Sequence, residues 1–234
     1  MIPILMYHQI DASAPRGTPL RGLTVTPQAF NRQMWALKLS GFKGLSMRDL
    51  EPYLDGRRAG KVVGITFDDG YLNNLQNALP VLCRHGFTAT CYAVSDMING
   101  SNAWDQELGI PQKPLMGLKE WKEWQSAGMD IGSHTRHHCD LTSVAKEEAW
   151  HEIADSKLEL ERKLGCEVRH FCYPYGKYTD EHLEMVAKAG YVTATTTNYG
   201  KFRHGDSLAT LSRIMVKGSM NLANFLWKTV WQHR

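Results

Sequence analysis

The chain lacks the features that lead a protein to a membrane, a nucleic acid or a nucleotide. No window approaches 18 consecutive apolar residues, which excludes a transmembrane helix. The opening run Met1-Ile2-Pro3-Ile4-Leu5-Met6-Tyr7-His8 has no basic region and no long apolar stretch. No signal peptide is expected from it, and the expected location is cytoplasmic. The formal net charge is only +3, from 27 Lys and Arg against 24 Asp and Glu. That balance is too mild to draw a polyanion, and no Lys/Arg run is long enough to do so locally, so no nucleic-acid partner is expected. The cluster Arg57-Arg58-Ala59-Gly60-Lys61 reads as a solvated turn. No GxGxxG follows an apolar run, which removes the dinucleotide fingerprint. The five cysteines are odd in number and have no CxxC spacing, so they read as free, buried thiols. Internal repeats and low-complexity tracts are also absent.

What is present is an ordinary globular composition, 43% hydrophobic and 22% charged. A length of 234 residues suffices for one sizeable core, and a single domain over 1–234 is expected. Short β-type runs alternate with helical periodicity. Strands are expected at 2–7, 42–45, 62–67, 88–94, 129–133, 168–173, 191–196 and 212–216. Helices are expected at 26–39, 46 onward, 71–84, 118–127, 143–164 and 179–189, with Asn221 capping a last one. Residues 95–117 form the one long irregular loop, rich in Gly, Asn, Ser and Pro and carrying Trp104 and Asp105. Such βα alternation implies a mainly parallel α/β sheet. We expect it to close as a distorted (β/α)7-type barrel, whose active site would lie at the carboxyl ends of the strands.

The chemistry concentrates at those ends. Val62-Val63-Gly64-Ile65-Thr66-Phe67-Asp68-Asp69-Gly70 is a buried strand ending in two adjacent carboxylates. Ile131-Gly132-Ser133-His134-Thr135-Arg136-His137-His138 is a strand ending in imidazoles. One carboxylate with two histidines is a divalent-metal donor set with room for water, and the other carboxylate is free to act as a base. His8 and Tyr175 also fall at or just past strand ends. The bland alternatives are a helix cap at Asp68 and packed or surface histidines elsewhere.

Thr66-Phe67-Asp68-Asp69-Gly70, His134-Thr135-Arg136-His137-His138 and Tyr173-Pro174-Tyr175-Gly176 together resemble the polysaccharide deacetylases of carbohydrate esterase family 4, the NodB-homology domain. The resemblance implies a metal-dependent hydrolase that removes N-acetyl groups from an N-acetylhexosamine-containing glycan or glycolipid precursor. It implies Asp68 as general base, with Asp69, His134 and His138 as ligands of a divalent metal. Zn2+ is the first expectation, and Co, Ni or Mn suit the same donors. It implies the Tyr175 amide as oxyanion donor, and His137 is expected not to ligate. The alternative is a related C–N hydrolase acting on a small non-sugar amide or cyclic imide.

Two departures from the family pattern stand out. Cys172 occupies the place of an Arg two residues before the Pro-Tyr pair, and Arg213 is either its replacement in orienting Asp68 or a plain ion-pair residue. The late Leu-x-His motif that supplies the general acid is missing. Leu5-Met6-Tyr7-His8 looks like that motif moved to the N-terminus, as in biofilm poly-N-acetylglucosamine deacetylases. His8 is therefore the expected general acid, with His204 as the fallback.

Overall fold

The computed structural model describes residues 1–232. In chain order its elements are β1 (Ile4–Tyr7), β2 (Gln9–Ile10), β3 (Thr24–Val25), α1 (Pro27–Leu39), β4 (Lys43–Leu45), α2 (Met47–Leu54) and β5 (Val62–Phe67). A π-helical turn (Asn74–Ala78) leads into α3 (Leu79–His85), then β6 (Thr90–Ala93), α4 (Leu118–Ser126), β7 (Asp130–Ser133) and α5 (Lys146–Leu164). The remainder is β8 (His170–Cys172), α6 (Asp180–Lys188), β9 (Thr193–Tyr199), β10 (Leu211–Met215) and α7 (Leu222–Leu226). Local chemistry starts several of these. The Thr26 hydroxyl accepts the Ala29 N–H ahead of Pro27, and Asn221 Oδ1 accepts from Asn224.

Seven parallel strands close a barrel in the order β1-β10-β9-β8-β7-β6-β5, and β1 pairs with β5 to complete the ring. β4 pairs with the first half of β5, and its Gly44 carbonyl accepts the Thr88 N–H just before β6. It therefore fills the seam between β5 and β6 at the amino end. The expected barrel is the observed one. Three details differ from the sequence reading. A two-residue parallel pair, β2 with β3, was not foreseen, β9 begins two residues later and ends three residues later than expected, and the helix after β5 opens with a π turn. Among the described residues no helix is long and apolar enough to cross a membrane.

Strand parity decides which side chains enter the lumen, because successive residues of a strand face opposite sides. Val63, Ile65 and Phe67 of β5 pack outward against the helices, in the cluster that holds Phe30, Trp121 and Trp124. Phe67 sits there in a nest of rings, 5.5 Å from Tyr7, 5.8 Å from Phe30 and 5.9 Å from Trp124. Val62 belongs to a second cluster inside the barrel, with Ile4, Tyr92, Cys172 and Leu211. Continuing the alternation puts Gly64, Thr66 and Asp68 inside on β5, Asp130, Gly132 and His134 on β7, His170 and Cys172 on β8, and Arg213 on β10. The lumen thus has an apolar middle and a polar group at each mouth.

Candidate metal centre and active site

Two neighbouring carboxylates on a regular strand would point to opposite faces. Asp69 instead has φ 73°, so the chain turns and both carboxylates reach the same mouth. Gly70 follows at φ 75°, where a Cβ would come within 2.8 Å of the Trp121 ring, so this turn requires glycine. The His134–His138 loop uses the same device. Thr135 has φ 67° and His138 has φ 59°, and the two histidine rings end 4.8 Å apart at 78°. Tyr175 has φ 58°. Left-handed backbone costs a non-glycine residue about 1–3 kcal/mol and is most unusual for a β-branched one such as Thr135.

Asp68 and Arg213 form a buried, two-pronged ion pair. Nη1 donates to Oδ1 at 2.7 Å and Nη2 to Oδ2 at 2.8 Å. Nη1 also meets the Thr66 hydroxyl, Nη2 the Cys172 sulfur, and Nε the Thr196 carbonyl. Burial pushes the Asp68 carboxyl up, but the Arg213 charge and hydrogen bonds, then His8 and His134, outweigh it and hold it below the usual carboxylate range. Arg213 therefore orients Asp68. His8, the first residue beyond the β1 ladder, brings Nε2 to 3.9 Å from Asp68 Oδ2.

Asp69 Oδ1 is buried and has no hydrogen-bond partner among the described residues. His134 Nε2 lies 3.5 Å from it and His138 Nε2 3.3 Å. The His134 Nδ1 contacts the Cys172 carbonyl at 2.7 Å. A carbonyl only accepts, so Nδ1 carries a proton; burial disfavours charge on this ring, but Cys172, Asp69 and Asp68 outweigh it and raise its pKa well above the ordinary value. Burial lowers the pKa of His138, against the pull of Asp69. These three ligand atoms lie close together, and Asp, His and His are a fitting donor set for a divalent cation. Asp68, His134 and Cys172 are also mutually close, but Arg213 already occupies that carboxylate and that sulfur.

A cleft of about 350 Å3 opens over these groups. Tyr71, Trp104, Asp105, Tyr173, Tyr175 and Lys113 line it along with His8, Asp68, Asp69, His134 and His138. Trp104 stacks on the His138 ring at 4.5 Å and 20°, and Tyr175 meets that ring edge-on at 4.8 Å. The Tyr175 N–H has no acceptor among the described residues. Asn102 holds Asp105 at 3.1 Å. His137 turns away from the centre to Glu152 and Asp96. His204 does not line the cleft and lies beside Gly56.

The sequence reading missed two supports. Glu152 of α5 is buried and accepts the backbone N–H groups of Arg136 and His137, bracing the His134–His138 loop from behind. An acid on the buried stripe Ala149, Glu152, Ile153, Ser156, Leu160 is the signal that could have revealed it. Asn74, at the π turn, bonds the backbone around His8.

Comparison with known proteins decides the family. The polysaccharide deacetylase profile matches residues 55–194. The chain belongs to the polysaccharide deacetylase family. It is 30% identical to YxkH of Bacillus subtilis, named as a candidate polysaccharide deacetylase, over 96% of this chain and 74% of that one. It is 27% identical to the poly-beta-1,6-N-acetyl-D-glucosamine N-deacetylase of Staphylococcus epidermidis, over 80% of this chain and 68% of that one. The Streptococcus pyogenes deacetylase PplD, solved in complex with acetate, superposes with TM-score 0.84 at 31% identity over 97% of both chains. IcaB from Ammonifex degensii shares the fold, with TM-score 0.82 at 22% identity over 98% of this chain and 97% of that one. The relatives of this polysaccharide deacetylase support N-deacetylation of a glycan.

Proposed function

We propose that this protein is a metal-dependent N-deacetylase that releases acetate from an N-acetylhexosamine-containing glycan or glycan precursor. One observation carries the reading. Nε2 of His134 and Nε2 of His138 converge on the buried Asp69 Oδ1 at 3.5 and 3.3 Å, beside a carboxylate that an arginine keeps charged. Asp69, His134 and His138 would hold the divalent ion, Zn2+ first among the candidates. When bound, such an ion polarises the acetyl carbonyl and lowers the pKa of water.

The chain's own groups supply the rest. Each Asp68 oxygen keeps a lone pair beyond its bond to Arg213, so the carboxylate can take a proton from the attacking water. The Tyr175 N–H would donate to the oxyanion of the tetrahedral intermediate. A neutral amine leaves far more readily than an amide anion, so the departing nitrogen needs a proton, and His8 is the group we assign to deliver it. The open cleft with Trp104, Tyr71 and Tyr175 on its walls supports a sugar ring over a small cyclic imide. The test is acetate release from an N-acetylglucosamine oligomer before and after chelation. The rate should fall to background in the metal-free protein and return with added Zn2+. A full rate in metal-free protein would overturn the proposal.

A further inference from the structure

Three asparagines follow the Asp68-Asp69-Gly70 turn: Asn73, Asn74 and Asn77. Together they reach a single target, the segment that leaves the barrel after His8. Asn74 is fully buried. Its Nδ2 donates to the His8 carbonyl at 2.8 Å, and its Oδ1 accepts the Ile10 N–H at 3.3 Å. Asn77 Nδ2 donates to the Ile10 carbonyl at 2.7 Å. Asn73 Nδ2 reaches Gln9 Oε1 at 3.2 Å and Asp11 Oδ2 at 3.4 Å. The helix is π-wound from Asn74 to Ala78. A π turn widens the helix locally and re-aims its side chains, and such turns recur at functional sites.

The location of this clamp gives it meaning. β1 pairs with β5 up to Tyr7 opposite Phe67, so His8 is the first residue without a partner in the barrel ladder. The two-residue strand β2 begins only at Gln9. The sheet therefore does not set the direction of the chain at His8. A side-chain amide that donates to the His8 carbonyl and accepts from the Ile10 N–H, bracketing the next residue, does set it. The amide comes from the same helix that starts directly after the two carboxylates. Asp68 and the backbone of His8 are thus referenced to one rigid piece.

We propose that Asn74 is a positioning residue for His8: it ties down the His8 carbonyl and the Ile10 N–H, fixing the chain directly after His8, and so holds the imidazole at proton-transfer distance from the leaving amine. The inference rests on His8 being the general acid. It predicts an effect confined to substrates whose leaving group needs a proton. An N-acetyl group does, because amide departure without protonation is slow. An activated aryl acetate does not, because its phenolate leaves unaided.

The experiment is a double-mutant cycle on the metal-loaded enzyme, with His8→Ala, Asn74→Asp and the pair. Asn74→Asp keeps the shape and the acceptor for Ile10 but cannot donate to the His8 carbonyl when ionised. Each variant is assayed on an N-acetylglucosamine oligomer and on an aryl acetate, with metal content measured alongside. His8→Ala should cost about 10²-fold on the amide. Asn74→Asp should cost at least about tenfold on the amide and less than about twofold on the ester, with metal content unchanged. Added to His8→Ala, it should cost nothing further. Should the aspartate variant fail to fold, Asn74→Ala takes its place with the same outcomes. Equal losses on both substrates, equal losses in both backgrounds, or full amide activity in the Asn74 variant would overturn the positioning role. A full amide rate in His8→Ala alone would instead overturn the general-acid assignment on which it rests.

Discussion

Both mouths of the barrel bury a histidine beside a carboxylate, and the same strands, β7 and β8, serve both. At the amino end, Asp130 accepts from the Thr90 hydroxyl at 2.6 Å and His170 Nδ1 meets the Thr193 hydroxyl at 2.9 Å. Their side chains lie 3.8 Å apart. Four residues beyond Asp130 and two beyond His170, at the carboxyl end, stand His134 and Cys172 with Asp68, Asp69 and Arg213. At the amino end burial shifts both groups toward their neutral forms. Burial pushes Asp130 up to about 6 and His170 down to about 3. The carboxyl end answers with counter-charge: Arg213 and the histidines keep both carboxylates below their ordinary range. The backbone differs in the same sense. None of the amino-end residues has positive φ, whereas Asp69, Thr135, His138 and Tyr175 all do. A buried charge in this protein is kept where something opposes it, and strain is kept where chemistry needs side chains aimed together.

Removing a metal ligand should break the contrast most completely. Wild-type protein should carry about one divalent ion per chain. His134→Ala and His138→Ala should each lose it, together with deacetylation above background. Full occupancy by elemental analysis in both variants would mean that the converging side chains serve another purpose. Next in size is Asp68→Asn. It should retain the ion and lose about 10²–10⁴-fold in kcat, because an amide cannot take the water proton. Near-normal turnover would place the base elsewhere.

Arg213→Met should convert the carboxyl end to the behaviour of the amino end. It leaves a buried carboxylate unopposed and should cost about 3–5 kcal/mol in urea unfolding near neutral pH. The sign follows from the wild-type shift. A depressed Asp68 contributes stability above its unfolded value of about 3.9, and that contribution is lost as pH falls through the lower folded value. Without Arg213, only His8 and His134 are left to oppose burial, so the acidic limb of kcat/KM should move to higher pH. An unmoved limb would show that Arg213 does not govern the base.

The smallest effect lies at the amino end. Asp130 is raised, so its contribution to stability falls as pH rises from about 3.9 to about 6. His170 is lowered, so its contribution rises from about 3 to about 6.5. The two slopes oppose each other across the shared interval. Asp130→Asn removes one of them, and unfolding free energy should then climb with pH by about 1.4 kcal/mol per unit between about 4 and 6 relative to wild type. Deacetylation should change less than about twofold. An unchanged slope would show that the pair does not titrate as its burial implies.

Parity made much of this legible in the sequence. An apolar run that ends in Asp68 and another that ends in His134 mark inward positions at the carboxyl end of parallel strands, whatever the details of the loops. The contact of Arg213 with Asp68 was only one of two readings, because it depends on β10 lying close to β5 across the lumen, 145 residues along the chain. Asn74 and Glu152 gave no local pattern that could be read forward. Their targets are backbone groups 66 and 16 residues away, and such bonds exist only once the elements have packed. The π turn was equally hidden, since the apolar spacing of 71–84 fits an ordinary helix.

Ring closure sets an order of assembly. β1 pairs with β5 over four residues, a contact available after the first third of the chain has emerged from synthesis. That pairing already brings His8 toward Asp68. β10, which completes the ring against β1, is the last strand to arrive, and Arg213 arrives with it. Until then Asp68 lacks the Arg213 counter-charge. Long-range parallel pairings of this kind form slowly and leave unpaired edges exposed while they wait. Asp68 therefore gains its final environment only in the step that seals the barrel, and a nascent chain cannot acquire the Asp68–Arg213 pair before it has acquired the fold.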